Sequence, residues 1–147
     1  MTLDSKKTIY KNLKSVLVAE DDPDLQELLK IKVENTGLRC EVAGDGVAAF
    51  EKLQTGDFDL LITDFRMPKM DGVELLKKCR ENKIHIPVIF QSSDANLATH
   101  EQIALADCCA TLMFKPVNHQ IFLAALGAAD NRSHHLDCMH SRETPVK

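Results

Sequence analysis

Four short apolar runs of this sequence each end in side chains that can do chemistry. These side chains are carboxylates, a hydroxyl and an ammonium group: Glu20 and Asp21, Asp64, Ser92, and Lys115. If the runs are parallel strands, their carboxyl ends meet at one edge of a sheet, which is where open α/β sheets bind ligands. Three carboxylates at that edge repel one another and cannot all stay ionised unless a cation lies among them.

The residue types of this cluster predict both the cation and the reaction. Because neither His nor Cys stands at these run ends, the ligands are hard oxygens, which favour Mg²⁺. The charges of the three carboxylates, the Lys115 ammonium and a divalent cation sum to zero. The site can therefore accept a phosphoryl group without prohibitive repulsion. A carboxylate can then act as nucleophile and form an aspartyl phosphate. We interpret Asp64 as functional because it ends a buried strand, where an uncompensated charge is costly.

The apolar runs and the segments between them predict strands that alternate with helices. The predicted strands are residues 16–19, 40–43, 58–63, 88–91 and 111–114. Most are continuously apolar, as expected of strands covered by helices on both faces, whereas the alternating second strand belongs at a sheet edge. The pattern is (βα)₅, which right-handed crossovers make an α/β fold with a doubly wound parallel sheet.

Capping residues predict where the helices begin and end. Aspartates stand at the N-cap positions of the first three helices: Asp22, Asp45 and Asp71. Gly37 and Gly56 end the first two helices. The fourth helix is predicted at residues 95–106 and the fifth at residues 117–129, which completes the elements that must position the cluster.

The composition of the whole chain excludes several classes of protein. Its 147 residues, 44% hydrophobic and 27% charged, are typical of one folded domain. No apolar run reaches the roughly 18 residues of a membrane span, and residues 1–14 lack the apolar core of a signal peptide. A net charge of −4 has the wrong sign for a nucleic-acid-binding protein. The 5 cysteines, without a CxxC motif, indicate reduced thiols and a cytoplasmic location.

Four segments resemble the motifs of receiver domains of two-component response regulators. They are VLVAEDDP at residues 16–23, DLLITDFRMPKMDG at 59–72, IPVIFQSS at 86–93 and FKP at 114–116. The resemblance covers residues 15–126 and implies a flavodoxin-like fold with strand order 2-1-3-4-5. We expect a receiver domain at residues 15–129, an N-terminal arm at residues 1–14 and a disordered tail at residues 130–147.

The resemblance also implies roles for the acidic residues. Asp64 is similar to the phosphoacceptor, which takes a phosphoryl group from a histidine of a partner protein. Asp21, Asp64 and the backbone carbonyl of Arg66 resemble direct Mg²⁺ ligands, and Glu20 resembles the acid that binds the metal through water. Arg66 and Asp94 are oppositely charged, and we expect them to pair across the mouth of the pocket and slow hydrolysis of the phosphoryl group.

Other motif positions agree with the family or depart from it. Ser92 matches the switch hydroxyl that moves to bond the phosphoryl oxygen, and Lys115 matches the lysine that pairs with the phosphoryl group. The peptide bond from Lys115 to Pro116 is expected to be cis. Leu112 stands where the family usually has Tyr or Phe, and a leucine cannot couple to the switch hydroxyl as an aromatic side chain does. Cys108 stands where glycine is common.

The implied function is that of a single-domain response regulator that catalyses its own phosphotransfer and autodephosphorylation. The expected partners are a histidine kinase or histidine phosphotransfer protein, and a downstream protein that contacts helix 4, strand 5 and helix 5. No nucleic acid or membrane is expected. About 20 residues follow the fifth helix, too few for a DNA-binding output domain.

The sequence also bears on four alternatives: an adaptor, a phosphatase, a flavin-binding protein and a zinc site. A phosphorylation-independent adaptor with the receiver fold is favoured by Leu112 and opposed by the intact motifs. A phosphatase of the haloacid-dehalogenase type needs a second Asp where this chain has Arg66. An FMN-binding flavodoxin is disfavoured because the acids after the first strand would repel the phosphate. The tail residues fit no tight zinc pattern: His134, His135, Cys138 and His140.

Overall fold

The computed structural model describes residues 10–107 and 109–133, the last two by their backbone alone. Cys108 and the predicted tail cluster of His and Cys residues lie outside the described residues. The strands are β1 (Ser15–Ala19), β2 (Arg39–Ala43), β3 (Leu60–Asp64), β4 (Val88–Ser92) and β5 (Ala110–Phe114). The helices are α1 (Pro23–Glu34), α2 (Gly46–Thr55), α3 (Gly72–Glu81), α4 (Thr99–Ala104) and α5 (His119–Ser133).

All strand pairs are parallel, and the sheet order is β2-β1-β3-β4-β5. This order confirms the flavodoxin-like, doubly wound fold predicted from the sequence. In the register, Ala19 lies beside Thr63, and Asp64 lies beside Gln91. The carboxyl ends of β1, β3 and β4 are therefore level, so the residues that follow these strands meet at one edge of the sheet.

Apolar side chains fill the space on both faces of the sheet. One cluster joins β1 and β3 to α1 and α5, with Val18, Ile62, Leu29, Phe122 and Leu126 among its buried members. The other joins the same strands to α2, α3 and α4, with Leu17, Leu61, Leu53, Leu75 and Ala104. Burial on both faces explains why β1, β3 and β4 are continuously buried. Within the described ranges, no helix is long and apolar enough to cross a membrane.

The predicted N-caps of the first three helices are confirmed. The Asp22 carboxylate accepts a hydrogen bond from the N–H of Asp24 at 2.9 Å, and the Asp45 carboxylate accepts one from Ala48 at 2.8 Å. Asp71 forms a reciprocal capping box with the residue three positions later. These caps begin each helix directly after a loop at the carboxyl edge of the sheet, and the loops before α1 and α3 carry Glu20, Asp21 and Arg66.

The fourth helix is shorter than predicted. It spans Thr99–Ala104, whereas the sequence pattern favours residues 95–106. The Asp94 carboxylate accepts a hydrogen bond from the N–H of Asn96 at 2.8 Å, which makes a turn where the helix was expected to begin. The helix then begins after Ala98, whose N–H donates to the Glu101 carboxylate at 2.9 Å.

The fifth helix continues past its predicted end at residue 129 to Ser133. Asp130 was expected in a disordered tail, but it is helical and buried. Its carboxylate accepts hydrogen bonds from three backbone N–H groups at 2.7–3.1 Å, those of Lys11, Asn12 and Leu13. Asp130 therefore holds the segment before β1 against the end of α5.

We expect Asp130→Ala to lower the free energy of unfolding by about 2–3 kcal/mol, because three N–H groups lose a charged acceptor. Urea unfolding at neutral pH measures this change. Asp57→Ala, which removes an exposed carboxylate, is the matched control and should change stability by less than about 0.5 kcal/mol. Equal stability of the two variants would contradict the structural role of Asp130.

Candidate functional site

A pocket of about 320 Å³ opens at the carboxyl edge of the sheet. The structure brings every predicted site residue to its lining: Glu20, Asp21, Asp64, Arg66, Ser92 and Lys115. Each residue stands at or just after the end of a strand, so the level carboxyl ends of the strands place them together. The pocket is the arrangement that the sequence analysis expected, and its internal contacts define its chemistry.

Two buried carboxylates and one ammonium group form the base of this pocket. Asp64 is 6% exposed and Glu20 is 1% exposed. The Lys115 Nζ lies 2.9 Å from Asp64 Oδ1 and 3.4 Å from Glu20 Oε1, so it bridges the two. The Gln91 side-chain amide donates a weaker hydrogen bond to Asp64 Oδ1 at 3.4 Å. The Lys115 N–H donates to the Ser92 carbonyl at 2.8 Å, which aligns the lysine with the end of β4.

Burial dominates the electrostatics of Asp64. It raises the pKa of Asp64 to about 7, because the lowering by Lys115 is opposed by the nearby Glu20 carboxylate. For Lys115, burial lowers the pKa, but hydrogen bonding and attraction to Asp64 and Glu20 outweigh it, and the pKa is raised overall. One ammonium group therefore does not balance the buried carboxylates, and a further cation would favour the ionised form of Asp64.

The donor set fits a magnesium ion. Carboxylate oxygens of Glu20, Asp21 and Asp64 lie within 4.8 Å of one another. Asp21 is exposed at the mouth, while the other two are buried. Mg²⁺ takes a few carboxylates and keeps several waters, and an open pocket lined by oxygen donors with excess negative charge meets both needs. Glu20, Asp21 and Asp64 are the residues that would hold the ion, and the Arg66 backbone carbonyl stays a predicted further ligand.

The loop after Asp64 depends on a glycine that the sequence analysis did not select. The Gly72 N–H donates to the Phe65 carbonyl at 2.8 Å, and a Cβ at Gly72 would overlap the Asp64 carbonyl oxygen. Only a residue without a side chain allows this close approach. The signal was present in the sequence, since glycine follows the N-cap Asp71 in the longest motif.

On the other side of the pocket, the Lys115–Pro116 peptide bond is cis, as the resemblance implied.

The Ser92 hydroxyl is held by the backbone of Asp94 rather than by Asp64. It donates to the Asp94 carbonyl at 2.8 Å and accepts from the Asp94 N–H at 3.1 Å. Leu112 is on β5, beside Phe90 of β4. Its side chain is half-buried and packs against the apolar cluster that joins the sheet to α2, α3 and α4. The leucine therefore packs as an ordinary apolar residue at this position.

Arg66 makes the predicted contact with Asp94 and a closer one that sequence reasoning missed. Its Nη1 lies 3.6 Å from Asp94 Oδ2, which confirms the pair across the mouth. Its Nε and Nη2 donate at 3.0 Å to the two oxygens of Glu101, a bidentate ion pair. Glu101 is on α4 and its side chain is only 2% exposed. A helix-capping acid 35 positions away carries no local signal of this contact.

The fold and the pocket together define a flavodoxin-like α/β domain with an acidic, lysine-containing site at the carboxyl edge of its sheet. Residues 16–127 match the family described as the response regulator receiver domain. Because this match covers most of the sequence, the chain belongs to the response regulator receiver domain family, whose members act in two-component signal transduction.

Similar proteins agree with this assignment. The chain is 35% identical over 121 residues to the sensor protein EvgS of Escherichia coli K12, covering 82% of this chain and 10% of EvgS. It is 32% identical over 111 residues to the sensor histidine kinase RcsC of Escherichia coli K12, covering 76% of this chain and 12% of RcsC. The receiver domain of the Francisella response regulator 1452 has a TM-score of 0.71 at 30% identity, covering 82% of this chain and 98% of that one. The chain thus spans about a tenth of these two sensor proteins.

The raised pKa of Asp64 predicts how stability depends on pH in the absence of metal. Between 3.8 and about 7 the folded protein keeps a proton that the unfolded chain releases, so this group's contribution to stability falls as the pH rises. Asp64→Asn cannot ionise. We expect the variant to exceed the wild type in free energy of unfolding by about 1–3 kcal/mol near pH 8, and by less near pH 4.

Urea unfolding at several pH values, with a chelator and then with Mg²⁺, measures this difference. Added Mg²⁺ should stabilise the wild type, because the ion binds the folded site and not the unfolded chain. It should leave Asp64→Asn nearly unchanged, because this variant lacks one of the three carboxylates of the site. Asp57→Asn serves as the control for loss of one carboxylate. A difference that stays constant across the pH range would show that Asp64 ionises at its ordinary pKa.

Proposed function

We propose that this chain accepts a phosphoryl group on Asp64 from a phosphohistidine donor, with bound Mg²⁺, and that the phosphorylated form signals through protein contacts. One observation carries the proposal. Asp64 is a buried carboxylate held 2.9 Å from the Lys115 ammonium, beside further carboxylates, in a pocket that is open to an incoming donor. A structural role does not explain such a costly cluster of like charges.

The transfer requires an ionised Asp64 and a stabilised phosphoryl group. An Asp64 carboxylate oxygen attacks the phosphorus, and the new P–O bond forms as the P–N bond to the donor imidazole breaks. The electron pair of that P–N bond leaves with the imidazole, which takes a proton from solvent. Bound Mg²⁺ supplies charge neutralisation at the phosphoryl oxygens. The Lys115 ammonium is close enough to Asp64 to donate a hydrogen bond to one of them.

Hydrolysis resets the site. Water attacks the phosphorus, the P–O bond to Asp64 breaks, and the products are the Asp64 carboxylate and inorganic phosphate. In this proposal the chain is a phosphoacceptor that catalyses both the transfer of the phosphoryl group to Asp64 and its later hydrolysis. The Ser92 hydroxyl must leave its contacts with the Asp94 backbone before it can bond a phosphoryl oxygen.

The family and the surface support the partners and the location that we propose. Kinship with the sensor histidine kinase RcsC supports a histidine kinase or histidine phosphotransfer protein as the donor. Exposed apolar side chains on α4, β5 and α5 support a downstream protein contact on that face: Ile103, Phe114 and Ile121. Cys40 and Cys79 are buried free thiols, which supports the reducing cytoplasm as the location.

The alternative is an adaptor that keeps the receiver fold but binds without phosphorylation. Leu112, a half-buried leucine that packs against the core where the family usually has an aromatic ring, is the observation that favours it. The intact contact between Lys115 and Asp64 and the oxygen cluster around it oppose it. A direct assay of Asp64 separates the two functions.

Incubation with acetyl phosphate and Mg²⁺ should add one phosphoryl group, about 80 Da by intact mass, to the wild type and none to Asp64→Asn. Asp57→Asn should still be modified. Lys115→Ala should slow the modification by about 10- to 100-fold, because the phosphoryl oxygens lose a charged donor. An unmodified wild type would favour the adaptor, and an adduct that persists in Asp64→Asn would assign the acceptor elsewhere.

Asp94→Ala should speed hydrolysis of the phosphorylated protein by about two- to fivefold, the range expected from loss of one exposed ion pair. The pair with Arg66 lies across the mouth of the pocket, where it hinders the attacking water. Loss of the ~80 Da adduct with time measures the rate, and Asp57→Ala is the control. An unchanged half-life would mean that this pair does not limit access of water.

A further inference from the structure

The ion pair between Arg66 and Glu101 joins the pocket to α4. Glu101 lies in the first turn of α4, and both of its carboxylate oxygens are 3.0 Å from nitrogens of the Arg66 guanidinium. The same carboxylate accepts the Ala98 N–H that begins the helix. The Glu101 carboxylate therefore both begins this six-residue helix and links it to the positive charge of Arg66.

Glu101 depends on Arg66 more than Arg66 depends on Glu101. The Glu101 side chain is 2% exposed, whereas the Arg66 side chain is 59% exposed. Burial alone would raise the pKa of Glu101, but the hydrogen bonds from Arg66 and Ala98 outweigh burial and lower it, so the carboxylate is ionised. Without the guanidinium, a buried ionised carboxylate loses its ion-pair partner, which is costly, while the arginine stays solvated.

Phosphorylation of Asp64 changes the competition for the guanidinium. Arg66 is two positions after Asp64 and lines the same pocket. A phosphoryl group replaces one carboxylate charge by about two negative charges and adds acceptor oxygens that match the planar fork of an arginine. The exposed guanidinium can turn toward this group on its flexible side chain, which would draw its Nε and Nη2 away from Glu101 on α4.

We propose that Glu101 is a positioning residue that competes with a phosphoryl group on Asp64 for the Arg66 guanidinium. This inference rests on the function proposed above. In the unphosphorylated protein Glu101 binds the guanidinium of Arg66 through its Nε and Nη2. When the phosphoryl group takes the guanidinium, Glu101 is left ionised and buried, and the first turn of α4 becomes less stable. The route from Asp64 to α4 thus runs through charge and does not require an aromatic residue at position 112.

Two variants test the competition. In Glu101→Gln the amide oxygen still accepts the Ala98 N–H, but the guanidinium is released toward the pocket. We expect its KM for acetyl phosphate to fall about two- to fivefold with kcat changed less, because Arg66 then helps to bind the dianion in both ground and transition states. In Arg66→Gln, the further change Glu101→Gln should have no effect on KM, since the competitor has nothing to compete for.

Hydrogen exchange of the α4 amides is the second measurement. In the wild type, phosphorylation should speed exchange at Thr99–Ala104. In Glu101→Gln the acceleration should be smaller, because an unpaired amide costs less than an unpaired carboxylate. In Arg66→Gln exchange should already be fast without phosphorylation. This variant keeps the proposal testable if Glu101→Gln unfolds.

Glu41→Gln is the matched control, because Glu41 pairs with Lys52 at 3.2 Å at the β2 edge of the sheet, away from the pocket and from α4. Its KM and its α4 exchange should equal those of the wild type. If Glu101→Gln behaves like Glu41→Gln in both measurements, the competition is refuted while phosphorylation of Asp64 stands. If the wild type itself forms no adduct, the proposed function is refuted and this inference with it.

Discussion

Two buried carboxylates at the ends of neighbouring strands, Glu20 and Asp64, share one ammonium group, that of Lys115. Their charge is the constraint on which the site depends, because burial makes each negative charge costly and a single cation does not balance both. The raised pKa of Asp64 expresses this imbalance. The nearby oxygen ligands and the open pocket fit a divalent cation from solvent, whose positive charge would offset this imbalance.

The rest of the fold holds these charges in place against their own repulsion. Apolar clusters pack on both faces of the central strands, so the carboxylates at the strand ends cannot separate without disturbing the core. Gly72 allows the loop after β3 to fold back against the Asp64 backbone. Arg66, on that same loop, adds a positive charge at the mouth of the pocket and shares it between Asp94 and Glu101 on the β4–α4 side.

Much of the fold could be predicted from the sequence because the signals are local. Continuous apolar runs with capped helices between them indicated the parallel sheet, and the caps at Asp22, Asp45 and Asp71 hold in the structure. Helix ends that depend on distant contacts were predicted wrongly. The turn at Asp94 shortens α4, and α5 extends to Ser133 with Asp130 bound to backbone N–H groups more than a hundred positions earlier.

By itself, the sequence determined the alternation of strands and helices and the set of residues at the carboxyl edge, since parallel strands bring their ends together whatever the details of packing. The expected strand order came from the resemblance to the family. Their chemical roles remain predictions for the assays. Only the tertiary structure decided which charges pair and at what cost. The closest ion pair of Arg66 is with Glu101, and the pKa of Asp64 is raised. Both properties depend on distances and burial among residues that are far apart in the chain. No periodicity or spacing encodes those quantities.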